Sequence, residues 1–150
     1  MTPENTIRVK AMCLLIQDDF ILVADGSTMK SNARLVIARN FYRVMGGTME
    51  PNETAEETVR REIREELNSE LENLERLDVI ENIYTYEGHK GHEIVFLFKG
   101  ELTNKELRKQ DKIHVVDADY EFDAIWVPIK ELLNGDKPLY PSLDYSRFIS

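Results

Sequence analysis

The sequence predicts an α+β fold in which a mixed β-sheet lies between helical layers. Short apolar strands are expected on both sides of one well-defined helix, and a second short helix is expected near the C-terminus. The chain has 150 residues, which is enough for one hydrophobic core. A chain of this length buries about two-thirds of its unfolded surface on folding. Because no repeat, linker or low-complexity segment interrupts the chain, we expect a single domain over residues 1–150.

The part of the chain before the helix is predicted to form strands joined by turns. Asp18 and Asp19 indicate the turn of a first hairpin, and the polar segment 25–32 indicates a loop. The pair Gly46–Gly47 indicates a sharp turn or a close backbone approach, because glycine is costly inside a regular strand. The strands expected here span residues 8–17, 20–24, 34–38 and 41–45.

Residues 55–67 give the clearest helix signal. Thr54 followed by Glu57 matches a capping box, in which each residue binds the backbone N–H of the other. Asn68 stands where a left-handed C-cap residue is expected. The apolar residues recur every four positions and predict one buried stripe, formed by Ala55, Val59, Ile63 and Leu67.

The segments after this helix predict further strands and one short helix. Residues 69–77 are polar and are expected to form a connection, and 87–91 a hairpin turn. The charged stretch 102–115 indicates a solvated loop or helix. We expect the strand over 78–86 to form an irregular, buried edge of the sheet. The remaining elements are strands over 93–99 and 124–127 and a helix over 129–133, which Pro128 can open.

Composition excludes several classes of partner. The net charge of −9 argues against a long nucleic acid, because binding its phosphates requires a surface rich in Lys and Arg. No run of about 18 apolar residues predicts a membrane span. The first residues lack the charged and apolar regions of a secretion signal, so we expect a cytoplasmic protein without a membrane partner.

Acidic residues cluster on one flank of the helix. At about 100° per residue, Glu62, Glu65 and Glu66 fall within roughly 100° of one another, beside the apolar stripe. Carboxylates this close repel one another, and a hard divalent cation removes the repulsion. Oxygen ligands of this kind suit Mg²⁺ or Mn²⁺ better than zinc. The alternative for the helix alone is a solvated acidic face.

The spacing around these acids resembles the signature of the Nudix hydrolase family. Gly47, Glu53, Arg61–Glu62 and Glu65–Glu66 follow the pattern G-x5-E-x7-R-E-U-x-E-E-x-G-U, where U is apolar. Three positions depart from it: Asn68 replaces the last glycine, Ser69 replaces the apolar residue, and Met45 replaces the usual proline. Asn tolerates the left-handed backbone nearly as well as Gly. The resemblance extends in strand order over about residues 6–135.

This resemblance implies an α/β/α sandwich and attack of water on the phosphorus of a pyrophosphate. Glu62 and Glu66 are predicted to bind the metal directly, with Glu65 at a second site and the Gly46 carbonyl near the metal. Glu53 and Glu50 are expected to form ion pairs with Arg61 that orient the carboxylates.

Other polar residues are candidates for substrate contacts or proton transfer. Arg39 and Arg43 flank the glycine pair and could contact phosphate, with plain surface charge as the alternative. His92 and Glu93 open a strand, where a substrate or proton-transfer role competes with an ordinary hairpin exit. Glu121 precedes the Trp126 strand, at a position that resembles the family's site for a further ligand or base, with Asp123 second. The general base is left open between Glu62, Glu93 and Glu121.

The leading hypothesis is a Mg²⁺- or Mn²⁺-dependent hydrolase of a nucleoside diphosphate linked to another group, X. Tyr42, Tyr84 and Tyr86 could stack on a base or belong to the core. A non-catalytic nucleotide-binding module with the same fold is the first alternative. An acidic Ca²⁺-binding or protein-interaction domain is a second, weakened by the lack of a D-x-D-x-D-G loop. A homodimer is expected only from the family resemblance.

Overall fold

The computed structural model describes residues 6–31, 39–86, 88–117 and 120–150. The strand expected over 34–38 lies outside the described residues. The described strands are Ile7–Gln17 (β1), Phe20–Ser31 (β2), Tyr42–Thr48 (β3), Leu71–Tyr86 (β4), His89–Leu102 (β5), Lys112–Val116 (β6), Tyr120–Pro128 (β7) and Leu139–Tyr140 (β8). The α-helices are Ala55–Leu67 (α1) and Ile129–Asn134 (α2), and short 3-10 helices span Lys105–Lys109 and Tyr145–Arg147.

The strands form one mixed sheet, as predicted. Its order is β4-β5-β1-β3-β2-β7-β6, and β8 adds to β3. The pairs β1–β5 and β3–β8 are parallel, and the other pairs are antiparallel. Within the described part of the chain, no helix is long and apolar enough to cross a membrane.

Helices and the C-terminal tail cover opposite faces of this sheet. The α1 face is built on Val59, Ile63 and Leu67, which join a buried cluster with residues of β1, β5 and β7. The other face packs against α2 and the tail, where Ile129 and Tyr145 are buried. Because side chains alternate along a strand, each strand residue can be assigned to one of these two faces. The layers agree with the predicted sandwich.

Both ends of α1 have the predicted caps. The Thr54 hydroxyl accepts from the Glu57 N–H at 3.1 Å, and the Glu57 carboxylate accepts from the Thr54 N–H at 3.0 Å. Asn68 has φ 51° and ψ 47°, and its N–H donates to the Arg64 carbonyl. The helix boundaries are therefore set by local chemistry rather than by packing alone.

The glycine pair lies inside β3, so the expectation of a turn was wrong and that of a close backbone approach is confirmed. β3 runs first beside β2 and then beside β1, across the base of the β1–β2 hairpin. Gly46 has φ 150°, and a Cβ there would clash with the Ala11 carbonyl. A Cβ at Gly47 would clash with the Glu62 carboxylate. Glycine is therefore required by close contacts on a continuous strand.

The start of β4 and the end of β2 differ most from the predicted boundaries, because bulges disturb the apolar period. β4 begins at Leu71, seven residues earlier than expected, with register shifts between Glu72 and Glu75 and between Arg76 and Asp78. β2 continues to Ser31 through the segment expected to be a loop, with a register shift against β7 between Asp25 and Lys30.

The outer strand β4 is also less buried than predicted. Ile83 is 67% exposed and Val79 is 48% exposed. The helix α1 packs over β1, β3 and β6, and so leaves this edge of the sheet uncovered. The stretch expected to be a loop or helix over 102–115 contains the end of β5, a 3-10 helix and β6.

Replacing Thr54 tests the contribution of the cap to α1. Thr54→Ala removes the acceptor for the Glu57 N–H and is expected to lower the free energy of unfolding by about 1 kcal/mol. Thr54→Ser retains the hydroxyl and should remain close to the native value. Urea unfolding of the three proteins measures the difference. Equal stability of Thr54→Ala and the native protein would show that the cap does not stabilise α1.

Candidate functional site

Arg61 is the centre of an ion-pair network at the N-terminal half of α1. Its guanidinium contacts both oxygens of Glu53, with Nε at 2.7 Å and Nη2 at 3.0 Å. Nη1 lies 3.0 Å from Glu62 Oε1 and 3.4 Å from Glu65 Oε2. Nη2 also donates to the Thr48 carbonyl at the end of β3. The Arg61 side chain therefore connects the carboxylates of Glu53, Glu62 and Glu65 to β3, the strand that carries the glycine pair.

Glu53 lies at one end of this network and is held in place by several hydrogen bonds. Besides Arg61, it accepts from the Thr58 hydroxyl at 2.6 Å and from the Glu50 N–H at 3.1 Å. The hydrogen bonds from Arg61 hold the pKa of Glu53 at about 2. Glu50 itself is exposed and its carboxylate lies 3.9 Å from Arg61. Glu53 is therefore ionised at neutral pH, and it fixes the orientation of Arg61.

Glu62 lies directly on β3. Its carboxylate occupies the space that a side chain at position 47 would take. Burial raises the pKa of Glu62, although the positive charge of Arg61 opposes the shift. The glycine at position 47 therefore allows a partly desolvated carboxylate to approach the backbone of the strand.

Glu66 is the most buried carboxylate of the cluster. Its side chain projects from the last turn of α1 and the residue is 8% exposed. The oxygen Oε1 is buried without a hydrogen-bond partner. Burial, followed by the negative charges of Glu62 and Asp117, raises the pKa of Glu66 well above its usual value. An unpartnered buried carboxylate oxygen is costly, and such a group requires an explanation.

Asp117 is a member of this cluster that the sequence analysis missed. It follows β6, and its negative charge raises the pKa of both Glu62 and Glu66. Its carboxylate accepts from the Tyr120 N–H at 2.6 Å, which fixes the start of β7. The available signal was strand parity: Ile113 and Val115 of β6 belong to the α1 face, and Asp117 follows them with the same parity.

Of the two candidate arginines, the structure brings Arg43 to the carboxylates. Its positive charge lowers the pKa of Glu66, and its guanidinium lies 6.0 Å from the centre of the Tyr120 ring. Arg39 lies before β3, where its N–H donates to the Gly26 carbonyl.

The cluster has the donor set for a divalent cation but is not preassembled. Among the described residues, no three acidic, His or Cys side chains lie close enough together to form a metal site. Arg61 draws Glu62 and Glu65 towards itself instead. The unpartnered oxygen of Glu66 and the mutual repulsion of Glu62, Glu66 and Asp117 nevertheless fit a hard cation with oxygen ligands.

His92 and Glu93 lie away from this cluster. Glu93 faces the side of the sheet opposite α1, together with Val95 and Leu97 of the second buried cluster. Its Oε2 lies 2.9 Å from Lys10 Nζ and 3.4 Å from Arg8 Nη2. Burial raises the pKa of Glu93, but the charges of Lys10 and Arg8 outweigh it and the pKa is lowered. His92 faces the α1 side and lies 3.7 Å from Glu81.

Glu121 and Asp123 also face away from α1. Both contact His114 of β6: Nε2 lies 3.3 Å from Glu121 and Nδ1 lies 3.1 Å from Asp123. Hydrogen bonds that the imidazole donates to Asp123 and Glu121 raise the pKa of His114. The structure therefore does not bring Glu93 or Glu121 together with the carboxylates of α1, and their predicted roles gain no support from the geometry.

The lowered pKa of Glu53 predicts a pH-dependent contribution to stability. Its folded pKa of about 2 lies below the ordinary value of 4.5, so its ion pair stabilises the fold above the unfolded pKa and is lost as the pH falls through the folded one. Glu53→Gln is expected to cost roughly 1–3 kcal/mol at pH 7 and progressively less between pH 4 and pH 2. Urea unfolding across this range measures the difference.

The control for Glu53→Gln is Glu56→Gln, which removes an exposed carboxylate paired only with Arg60 on the same helix. We expect that control to change stability by less than about 0.5 kcal/mol at each pH. A cost of Glu53→Gln that did not vary with pH would contradict the proposed origin of the effect.

Comparison with known proteins agrees with this geometry. A model of the NUDIX domain family matches residues 6–145, whereas no curated protein matches the chain. The chain is similar in structure to a MutT NUDIX hydrolase from Burkholderia pseudomallei, with 25% identity and a TM-score of 0.54, covering 84% of this chain and 86% of that one.

Two further solved structures share the fold at lower identity. A mutator MutT protein from Bacillus halodurans has 22% identity and a TM-score of 0.57, covering 89% of this chain and 75% of that one. A NUDIX hydrolase from Nitrosomonas europaea has 18% identity and a TM-score of 0.54, covering 84% and 75%. The match over residues 6–145 includes β1 to β8 and both helices, and the chain therefore belongs to the NUDIX domain family.

Proposed function

We propose that this protein is a Mg²⁺- or Mn²⁺-dependent pyrophosphohydrolase of nucleoside diphosphates linked to another group. The observation that carries the proposal is the buried, unpartnered Oε1 of Glu66 beside the negative charges of Glu62 and Asp117. A structural role alone does not account for a carboxylate in this position, because burial without compensation is destabilising.

The balance of charge supports a bound cation. Arg61 contacts Glu53, Glu62 and Glu65, so one positive charge is shared by three carboxylates. Arg43 is the cation whose charge lowers the pKa of Glu66, yet that pKa remains raised. A divalent cation would relieve this excess of negative charge, and the phosphates of a substrate would complete the neutralisation.

The proposed roles follow the positions of the side chains. Glu62 and Glu66 would hold the cation, with Asp117 and Glu65 completing the acidic set and the Gly46 carbonyl as a further ligand. Bound there, a divalent cation supplies charge neutralisation on the phosphate oxygens and lowers the pKa of bound water.

Arg61, Glu53 and Glu50 would set the orientation of these carboxylates. The fork from Arg61 to Glu53 is the fixed part of the network, because both oxygens of Glu53 are engaged. The exposed Glu50 contributes a weaker contact to the same guanidinium.

Glu62 is the general base that we propose. Of the three residues left open by the sequence, Glu62 alone belongs to the α1 face, whereas Glu93 and Glu121 pair with Lys10 and His114 on the other face. Arg43 is the proposed phosphate contact, and its fork can bind two phosphate oxygens.

A non-catalytic nucleotide-binding module with the same fold is the alternative. The cluster of Glu62, Glu65 and Glu66 favours an enzyme, because nucleotide binding alone does not require desolvated carboxylates such as Glu62 and Glu66. The predicted homodimer and cytoplasmic location stay predictions.

Metal-dependent turnover tests the proposal directly. Phosphate release would be measured, with a coupling phosphatase where needed, on nucleoside triphosphates, ADP-ribose, nucleotide sugars and dinucleoside polyphosphates. We expect hydrolysis of one class with Mg²⁺ or Mn²⁺, none with EDTA, and a loss of at least 100-fold in kcat for Glu66→Gln, in line with about 3 kcal/mol of transition-state stabilisation.

The matched control is Glu56→Gln, which makes the same chemical change on the exposed face of the same helix. It should retain native turnover. Binding of nucleotides without hydrolysis under any metal condition would favour the non-catalytic module. Full activity of Glu66→Gln would exclude the proposed role of Glu66.

A further inference from the structure

The exposed Tyr140 and the half-buried Phe41 form an aromatic pair near the backbone of Arg43. Tyr140 in β8 is 40% exposed. It pairs in register with Arg43 of β3, on a parallel ladder. The Tyr140 and Phe41 rings form an edge-to-face contact, with centres 5.1 Å apart and planes at 70°. The neighbouring ring restricts how Tyr140 can turn, so its exposed surface is held in a defined orientation.

The register places this pair on the α1 side of the sheet. Leu139 precedes Tyr140 and is buried in the cluster of the opposite face, so Tyr140 points towards the face of α1. Phe41 lies two residues before Arg43 and has the same parity. Its ring passes so close to Gly26 that a Cβ there would lie 2.6 Å from a ring carbon. The absence of a side chain at Gly26 therefore provides the space that the Phe41 ring occupies.

The tyrosines considered from the sequence are less suited to stacking. The Tyr42 ring is covered by Lys137, whose Nζ lies 4.3 Å from the ring centre. The Tyr84 hydroxyl accepts from Arg8 at 3.0 Å, in the polar network on the opposite face. The side chain of Tyr86 lies outside the described part of the structure. The Tyr120 ring lies 6.0 Å from the Arg43 guanidinium but is half-buried. Tyr140 is 40% exposed and pairs with Arg43 in the register of β8 and β3.

We propose that Tyr140 stacks on the base of the nucleotide substrate while Arg43 contacts the adjoining phosphate. This inference rests on the proposed function. It adds a contact to the base, which is the part of the substrate that the carboxylates do not bind. Gly47 follows Arg43 by four residues on β3, so the two positions lie within about 13 Å of each other, the length of four fully extended residues. A nucleotide lying along β3 can therefore place its base at Tyr140 and its pyrophosphate towards the carboxylates of α1.

Stacking on a tyrosine ring also predicts the kind of selectivity. Every base has an aromatic face, so stacking distinguishes a nucleotide from a compound without a base far better than it distinguishes one base from another. The side chains of Phe41, whose ring contacts Tyr140, and of Arg43, its register partner, carry no acceptor for a base edge. The structure therefore assigns this subsite a broad preference for nucleotides.

Binding of a hydrolysis-resistant nucleotide tests this subsite apart from turnover. The probes are α,β-methylene-ADP and methylenediphosphonate, which has the same phosphorus bridge without a nucleoside, titrated calorimetrically in the presence of Mg²⁺. Tyr140→Leu is expected to weaken binding of the nucleotide roughly 5- to 150-fold, the range for loss of one stacked base. Binding of methylenediphosphonate should be unchanged.

Tyr140→Phe is the matched control, because it keeps the ring and its contact with Phe41 and should bind the nucleotide as the native protein does. On the hydrolysed substrate, Tyr140→Leu should raise KM by a similar factor with little change in kcat, since the lost contact is equal in ground and transition states. Thermal unfolding of both variants verifies that each is folded.

Equal affinity of Tyr140→Leu and the native protein for α,β-methylene-ADP would overturn the inference, as would failure of the native protein to bind it. Either result is compatible with metal-dependent hydrolysis of the panel, so the proposed function would stand. Conversely, nucleotide binding that depends on Tyr140, without hydrolysis of any substrate, would overturn the proposed activity and leave the stacking subsite intact.

Discussion

The contact between the Glu62 carboxylate and the backbone of β3 at Gly47 determines the geometry of the site. Any larger residue at position 47 would displace that carboxylate. The contact also requires α1 to lie close to the sheet, which the buried Val59 and Ile63 achieve by packing on the same face. Arg61 secures the arrangement from the side by joining Glu53 and Glu62 to the Thr48 carbonyl. Backbone approach, core packing and ion pairing thus depend on one another.

The pKa values of Glu53 and Glu66 are shifted in opposite directions, and this difference distinguishes the roles of the two carboxylates. Hydrogen bonds from Arg61 lower the pKa of Glu53 to about 2, which makes that group a permanent partner of the guanidinium. Burial and neighbouring negative charge raise the pKa of Glu66. Glu53 therefore stabilises the structure in the absence of a cation, whereas Glu66 stabilises it best when a cation or proton compensates its charge.

Local signals in the sequence predicted α1 and the acids it carries. The capping pair Thr54 and Glu57 and the left-handed Asn68 depend on a few neighbouring residues, and the structure has all three as expected. The mixed sheet was also predicted from local signals, namely the runs of apolar residues that indicate strands. Bulges in β2 and β4 shift the apolar alternation, so their ends could not be read from periodicity.

Contacts between distant segments were harder to predict. Glu93 and Glu121 were chosen by their place beside a strand, but the face to which each points depends on the register of the sheet. Asp117 escaped notice because its relation to Glu66 exists only after β6 has packed over α1. Tyr140 reaches Arg43 through a two-residue strand that no sequence pattern marks.

The stability of Glu66→Gln with and without Mg²⁺ tests the central claim most directly. At pH 7 in EDTA we expect the variant to be more stable than the native protein, because the amide removes a buried, uncompensated charge with a desolvation cost of about 1–3 kcal/mol. Saturating Mg²⁺ should then stabilise the native protein and leave Glu66→Gln unchanged. Glu56→Gln, the control, should behave like the native protein in both conditions. A variant less stable than the native protein in EDTA, or stabilised equally by Mg²⁺, would contradict the account.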